Sequence, residues 1–258
     1  MKRAEYGIGK AEARLLCFMH EDLTGCCESY KRHPAVIIFP GGGYRFLSPR
    51  EEEPIAAPLF AEGYNVFILR YSVGSDIALS EPEEEAAEAV SIIKRDSDEL
   101  GVDKDRIAVL GFSAGAHAAA SLACHWKRYG EKSRPDTAVL CYPVITMGKY
   151  CHEGSRDRIT MGDEKRLEYF SLENQVDKDT VPCFIWHTED DQSVPIQNSL
   201  LFLEALIEHG VKAEYHMYDH GKHGLSTGYR MTGPEEKGVQ SWVGLLVSYL
   251  NRRWDFLK

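Results

Sequence analysis

The stretch Ile107-Ala-Val-Leu-Gly-Phe-Ser-Ala-Gly-Ala-His-Ala-Ala-Ala-Ser-Leu-Ala123 sets an apolar run, a Gly-x-Ser-x-Gly turn and an alanine-rich run end to end. The run at 107–110 reads as a buried strand and the residues from Ala114 to Ala123 as a helix, so Ser113 falls at a sharp strand-to-helix turn. Such a turn needs neighbours with almost no side chain, because its backbone is tight and strained; Gly111 and Gly115 supply them. A hydroxyl held at the N-terminal end of a helix lies beside free amides and the positive end of the helix dipole. That is where a serine can attack a carbonyl and have the resulting oxyanion stabilised, here with the Ala114 amide as one donor.

Outward from this turn, the runs at 36–39, 65–69, 138–141 and 183–186 are also continuously apolar, and 213–218 reads as a further strand. Continuous rather than alternating apolar character predicts strands covered on both faces, as in a parallel sheet. Between them lie helical patterns. One spans 81–100, with Ser80 and Glu83 spaced as a capping box, Ala86, Val90 and Ile93 as a buried stripe, and Gly101 as its stop. Others end at Gly210 and run through Val239, Trp242, Leu246 and Leu250. The acidic runs at 51–53 and 83–85 read as solvated first turns of helices, where negative charge suits the dipole. The alternation predicts a doubly wound α/β fold: a mostly parallel central sheet flanked by helices on both faces, one domain over 1–258. Only the polar stretch 146–179 lacks an obvious strand. It is expected to be a short cap inserted over the C-terminal edge of the sheet, where such folds bind ligands.

Composition narrows the function classes. The 258 residues carry 30 Lys+Arg against 40 Asp+Glu, a formal net charge of −10, which disfavours nucleic acid as a partner. With 43% hydrophobic and 27% charged residues the chain is of ordinary globular composition, and no stretch approaches a membrane span. No apolar signal region follows the N-terminal Lys2-Arg3, and seven cysteines are scattered without a framework. Both features predict a reducing, cytoplasmic setting.

A glycine cluster, Gly41-Gly-Gly43, follows the run at 36–39. Three glycines there either permit a turn or bring amides close to a ligand. No Gly-Lys-Ser/Thr follows, which excludes a phosphate-binding P-loop, and together with Ser113 the cluster reads as an oxyanion hole built from Gly42 and Gly43. Which two of the three glycines donate stays open. Tyr44, Arg45 and Phe46 beside it are expected to shape a substrate pocket with an aromatic wall.

With these residues in view the chain resembles an α/β-hydrolase of the esterase/lipase superfamily, in the small acetyl-esterase and xylan-esterase-like branch close to the feruloyl-esterase-like hydrolases. The resemblance rests on Pro40–Tyr44, Gly111–Gly115 with His117, Asp191-Gln-Ser-Val-Pro195 and Gly221-Lys-His-Gly224, in order over most of the chain. It implies a triad in the order Ser113, Asp191, His223. Asp191 takes the acid position, with Asp190 and Glu189 as neighbouring carboxylates, and Thr188 stands where the family has glycine. His223 takes the base position, with His220 its nearest rival and His117 expected to be a buried, hydrogen-bonded helix residue. His216, His220 and His223 straddle a strand end and a loop with no Cys or acid pattern to complete a zinc site, so no metal or other cofactor is expected.

The expected activity is hydrolysis of small acyl esters through an acyl-enzyme, and the resemblance implies acetyl groups on sugars or xylo-oligosaccharides. A small serine peptidase or amidase would use the same residues, although a chain of this length leaves no room for the propeller domain of an oligopeptidase. A hydrolase fold used only for binding is the alternative of another class. The only partner expected is a small-molecule ester; the sequence does not disclose an oligomeric state.

Overall fold

The computed structural model describes residues 1–10, 12–21 and 31–255. Among them eight strands form one sheet: β1 (Lys2–Ile8), β2 (Ala13–Met19), β3 (His33–Phe39), β4 (Asn65–Arg70), β5 (Val102–Phe112), β6 (Thr137–Cys141), β7 (Cys183–Thr188) and β8 (Ala213–Tyr218). Their spatial order is β1-β2-β4-β3-β5-β6-β7-β8. β3 to β8 pair in parallel, while β1 and β2 are antiparallel at one edge. The helices are α1 (Glu53–Ala61), α2 (Pro82–Arg95), α3 (Ser97–Leu100), α4 (Ala114–His125), α5 (Glu153–Thr160), α6 (Glu164–Tyr169), α7 (Gln197–Glu208) and α8 (Trp242–Trp254).

Residues of one strand alternate between two apolar layers. Ile37, Val109, Leu140 and Ile185 pack on one face with Ala86, Val90, Ala116 and Phe202 from α2, α4 and α7. Val36, Leu110, Val139 and Phe184 pack on the other with Ile55 and Leu59 from α1 and Trp242, Leu246 and Leu250 from α8. Every position of these strands therefore has to be apolar, which explains the unbroken runs. At roughly 1.5–3 kcal/mol for each large side chain buried, these layers are the main source of stability.

After β3 the chain moves outward to β4, then returns to the opposite side of β3 to form β5. A crevice opens at the carboxyl ends of strands where the winding reverses in this way. The pairs Ile38↔Leu110 and Phe39↔Gly111 hold β3 and β5 in register. The glycine loop after β3 and Ser113 after β5 consequently emerge side by side.

Several local expectations need correction. The hairpin of β1 and β2 is not among the expected strands: β2 carries the apolar run Leu15–Met19, but β1 is an edge strand with only Ile8 buried and no run to announce it. The helix expected over 81–100 breaks at Asp96 into α2 and α3, and Glu81 rather than Ser80 occupies its N-cap position, with no side-chain cap. Gly101 does end it, in the left-handed conformation. The acidic runs are solvated first turns only in part, at the exposed Glu53 and Glu84. Glu51, Glu52, Glu83 and Glu85 are buried because each carboxylate has partners: Glu52 pairs with Arg70, Glu85 accepts from the Ser72 amide and hydroxyl, and Glu83 accepts from the hydroxyls of Tyr129 and Tyr169 and meets His125.

The polar stretch 146–179 contains α5 and α6 and no strand. Ile159, Phe170, Leu172 and Val176 tie it into the core layer that contains α4. No helix among the described residues is long and apolar enough to cross a membrane.

Candidate active site

Ser113 sits at the junction of β5 and α4 with φ 53° and ψ −116°, a conformation that L-residues rarely adopt. The turn is closed by tight backbone packing. A Cβ at Gly115 would lie 2.1 Å from the Phe39 carbonyl oxygen, and one at Gly111 would lie 2.3 Å from the Gly115 oxygen. Any side chain at either position would force β3, β5 and α4 apart. The Ser113 carbonyl accepts from the amides of His117 and Val144, and its own amide donates to Cys141 O, so the backbone around the hydroxyl is fixed on three sides.

His223 approaches from the loop after β8. Its Nε2 is 2.8 Å from Ser113 Oγ and its Nδ1 is 2.6 Å from Asp191 Oδ2. Asp191 follows β7, and its other oxygen, Oδ1, accepts from the Ser193 and Val194 amides at 2.9 and 3.0 Å. His187 Nε2 is a further neighbour, 3.4 Å from Oδ2. Burial would raise the Asp191 pKa, but the contacts with His187 and His223 and the Val194 amide overcome it and hold the carboxyl well below the usual carboxylate range. An ionised Asp191 can only accept, so Nδ1 of a neutral His223 carries the proton and Nε2 faces the serine hydroxyl with its lone pair. The Tyr142 ring packs edge-on against this imidazole, centroids 5.1 Å apart.

The rival residues have other partners. His220 Nδ1 meets Asp190 Oδ2 at 2.6 Å, and Asp190 Oδ1 accepts from the Gly221 amide. His216 Nε2 meets Glu214 at 3.0 Å, and the Glu189 amide donates to Tyr218 O. The three histidines thus face three different carboxylates, and no group of three or more His, Cys, Asp or Glu among the described residues is arranged to hold a metal ion. His117 is fully buried between Tyr44 and Phe170. Its Nε2 donates to Phe170 O at 2.9 Å, so its Nδ1 accepts from the Tyr44 hydroxyl at 2.7 Å, and burial lowers its pKa to about 4.

In the glycine loop, the Gly41 amide donates to Glu51 Oε2 at 2.8 Å and is committed there. Gly42 and Gly43 line the cavity beside Ser113. Gly42 has φ 133°, and a Cβ on it would come within 1.9 Å of the Phe46 oxygen, so only glycine lets the loop fold back here. Tyr44 does not form the expected pocket wall. Its ring is buried, and its hydroxyl is used by His117. The aromatic ring that reaches the cavity is Phe46, half exposed, with the Arg45 guanidinium over its face at 5.8 Å.

The cavity measures about 460 Å³. Ser113, His223, Gly42 and Gly43 line it together with Arg45, Phe46, Arg50 and Glu51, and α5 and its N-cap contribute His152, Gly154 and Arg158. Burial, with His223 and Arg158 nearby, lowers the pKa of His152. Sequence reasoning missed Glu51, Tyr142, His152 and Arg158. Glu51 accepts from the Gly41 amide and, through Oε1, from the Tyr142 hydroxyl at 2.6 Å; burial raises its pKa. Tyr142 in turn accepts from the Ser226 amide, so a single buried carboxyl connects the glycine loop to the His223 loop. No local signal marks these residues, because they come from three separate segments, with His152 and Arg158 both on α5 and its N-cap.

The sheet order, the serine turn and its neighbours define the α/β-hydrolase class. The description of the prolyl oligopeptidase family matches residues 83–245, and that of the BD-FAE family matches residues 22–136. The chain is 37% identical over 228 residues to endo-1,4-beta-xylanase B of Butyrivibrio fibrisolvens, covering 82% of this chain and 34% of that protein, about a third of its length. Among solved structures, it is 34% identical to an acetyl ester-xyloside bifunctional hydrolase from Caldicellulosiruptor lactoaceticus, with a TM-score of 0.85 over 97% of this chain and 91% of that one. It is 32% identical to an α/β hydrolase enzyme from a Medee basin deep-sea metagenome library, with a TM-score of 0.84 over 99% of each. The chain belongs to the prolyl oligopeptidase family and is an α/β hydrolase of the esterase branch.

Proposed function

We propose that this protein hydrolyses small carboxylic esters through an acyl-enzyme on Ser113, with acetyl groups on sugars or xylo-oligosaccharides as substrates. The observation that carries the reading is the unbroken line of contacts Ser113 Oγ–His223 Nε2 at 2.8 Å and His223 Nδ1–Asp191 Oδ2 at 2.6 Å. In the first step His223 Nε2 takes the hydroxyl proton as Ser113 Oγ bonds to the ester carbonyl carbon. The carbonyl oxygen becomes an oxyanion facing the amides of Gly42, Gly43 and Ala114. The C–O bond to the alcohol then breaks, and His223 returns the proton to the leaving oxygen. In the second step water loses a proton to His223, attacks the acyl carbon and releases the acid, and Ser113 recovers its proton. Asp191 stays ionised throughout and stabilises the imidazolium. Each oxyanion donor is typically worth about 3 kcal/mol in the transition state.

The segment 146–179 is proposed as a cap on a single hydrolase domain. His152, Gly154 and Arg158 at the cavity support this. The likeness to a hydrolase described as acting on an acetyl ester and a xyloside supports the sugar part. The unpaired buried thiols of Cys17, Cys124, Cys141 and Cys183 support a reducing, cytoplasmic setting, while Cys26 and Cys27 lie outside the described residues.

The prolyl oligopeptidase match over 83–245 favours amide cleavage as a second reading. Rates on p-nitrophenyl acetate, butyrate and octanoate, measured beside an aminoacyl p-nitroanilide, decide between them. Fastest turnover of the acetate is expected; preference for the anilide would overturn the esterase assignment.

A further inference from the structure

In a chain of net charge −10, the cavity at Ser113 is lined by three arginines, Arg45, Arg50 and Arg158. None of them is ion-paired with a carboxylate among the described residues, whereas Arg70, Arg166 and Arg253 are paired with Glu52, Glu81 and Asp136. Their remaining contacts leave donors free. Arg50 Nη1 donates to Thr232 O at 3.2 Å and Arg158 Nη1 to Gly154 O at 2.5 Å. Arg45 lies over the Phe46 ring. Of the carboxyls around the cavity, Glu51, which acts on Arg50, and Asp191 are both occupied, and Glu153 on α5 acts on Arg156 and His152. Glu51 accepts from Gly41 and Tyr142, and Asp191 lies behind His223. A planar guanidinium with unused donors at the wall of a cleft is suited to a carboxylate on the ligand.

The position of Arg50 indicates which part of an ester would carry that charge. Its Nη2 lies 3.2 Å from where a Cβ on Gly224 would stand, immediately after His223. His223 is the residue proposed to protonate the leaving alcohol. Phe46, half exposed at the same cavity, offers a flat apolar face to a ring.

We propose that the preferred substrates are esters whose alcohol part is a carboxylate-bearing sugar ring, held by Arg50 and Arg158 with Arg45 at the rim. This rests on the esterase reading above and specifies its substrate class. The charge contributes mainly to binding, so it lowers KM more than it raises kcat, and the preference weakens with salt because Arg45 and Arg50 are exposed.

The test compares mono-O-acetyl-glucuronate with mono-O-acetyl-glucose, and p-nitrophenyl hemisuccinate with p-nitrophenyl valerate, at low salt and in 0.5 M KCl. The expected result is a kcat/KM about tenfold or more higher for the acetyl-glucuronate, shrinking in KCl, with no such preference for the hemisuccinate. Arg50→Gln and Arg158→Gln are each expected to cut the glucuronate-to-glucose ratio several-fold through KM. Equal rates on the two sugars would overturn the inference while leaving the esterase reading intact. A charge preference confined to the hemisuccinate would move the anion to the acyl side and overturn the assignment to the alcohol. Failure to hydrolyse any of the four esters would instead count against the esterase reading itself.

Discussion

His220 and His223 stand three residues apart in one loop, and each meets one of two adjacent aspartates at 2.6 Å, yet the two pairs are built for different ends. The side chains of His220 and Asp190 are 69% and 40% exposed, those of His223 and Asp191 20% and 0%. An exposed pair exchanges its attraction for good hydration and is worth little. A buried carboxylate must find several donors, and Asp191 has two amides as well as the imidazole. The far nitrogens differ most: His220 Nε2 faces Glu236 at 3.8 Å, while His223 Nε2 faces the Ser113 hydroxyl at 2.8 Å. What separates a proton relay from a surface ion pair is the burial of the acid and what the second nitrogen faces, because the His–Asp distance is the same in both.

The largest effect should come from removing the group that His223 faces. Ser113→Ala is expected to abolish ester hydrolysis, about 10⁵-fold or more, with an unchanged circular dichroism spectrum. Asp191→Asn should cost about 10³–10⁴-fold in kcat, because an amide no longer fixes the imidazole tautomer or stabilises its charged form. His117 sharpens the contrast as a buried imidazole with no carboxylate bonded to it. Its pKa is about 4 in the folded chain against an ordinary 6.5, so below pH 6.5 the unfolded chain takes up a proton that the folded chain refuses. Stability is therefore lost as pH falls from 6.5 towards 4, by about 3 kcal/mol, and no further below that. Urea unfolding of the wild type and His117→Gln over this range checks it, the variant being expected to lose less stability on acidification. The smallest effect should be that of Asp190→Asn. Its Oδ1 can still accept from the Gly221 amide, and ester hydrolysis should stay within about twofold of wild type. A large loss there would erase the distinction between the two pairs.

The parallel strands β3 to β7 were legible because both of their faces are buried where they carry unbroken apolar runs, whereas the edge strand β8 has no buried residue and no such run. The serine turn was legible because its sterics demand small residues at fixed offsets. Pairing Asp191 rather than Asp190 with His223 was not legible from the residues alone, since two adjacent carboxylates look alike until burial separates them, and the family resemblance made that choice. Glu51 and Glu83 were misread for a related reason. An acidic residue in a helix's first turn is solvated unless tertiary partners such as Tyr142, Tyr129 and Tyr169 arrive from distant segments. Tyr44 was misplaced because the loop turns its ring inward onto His117, and position next to the glycines carries no information about that direction. Arg158 and His152 reach the cavity on a mostly polar segment anchored by a few scattered apolar residues, Ile159, Phe170, Leu172 and Val176, whose spacing forms no run to read.

The central claim is tested most directly with a fluorophosphonate probe, followed by peptide mass spectrometry on the wild type, Asp191→Asn and Asp190→Asn. One adduct on Ser113 is predicted, formed at the wild-type rate in Asp190→Asn and far more slowly in Asp191→Asn. An adduct on another serine, or ester hydrolysis that persists with Ser113 unlabelled, would contradict the account.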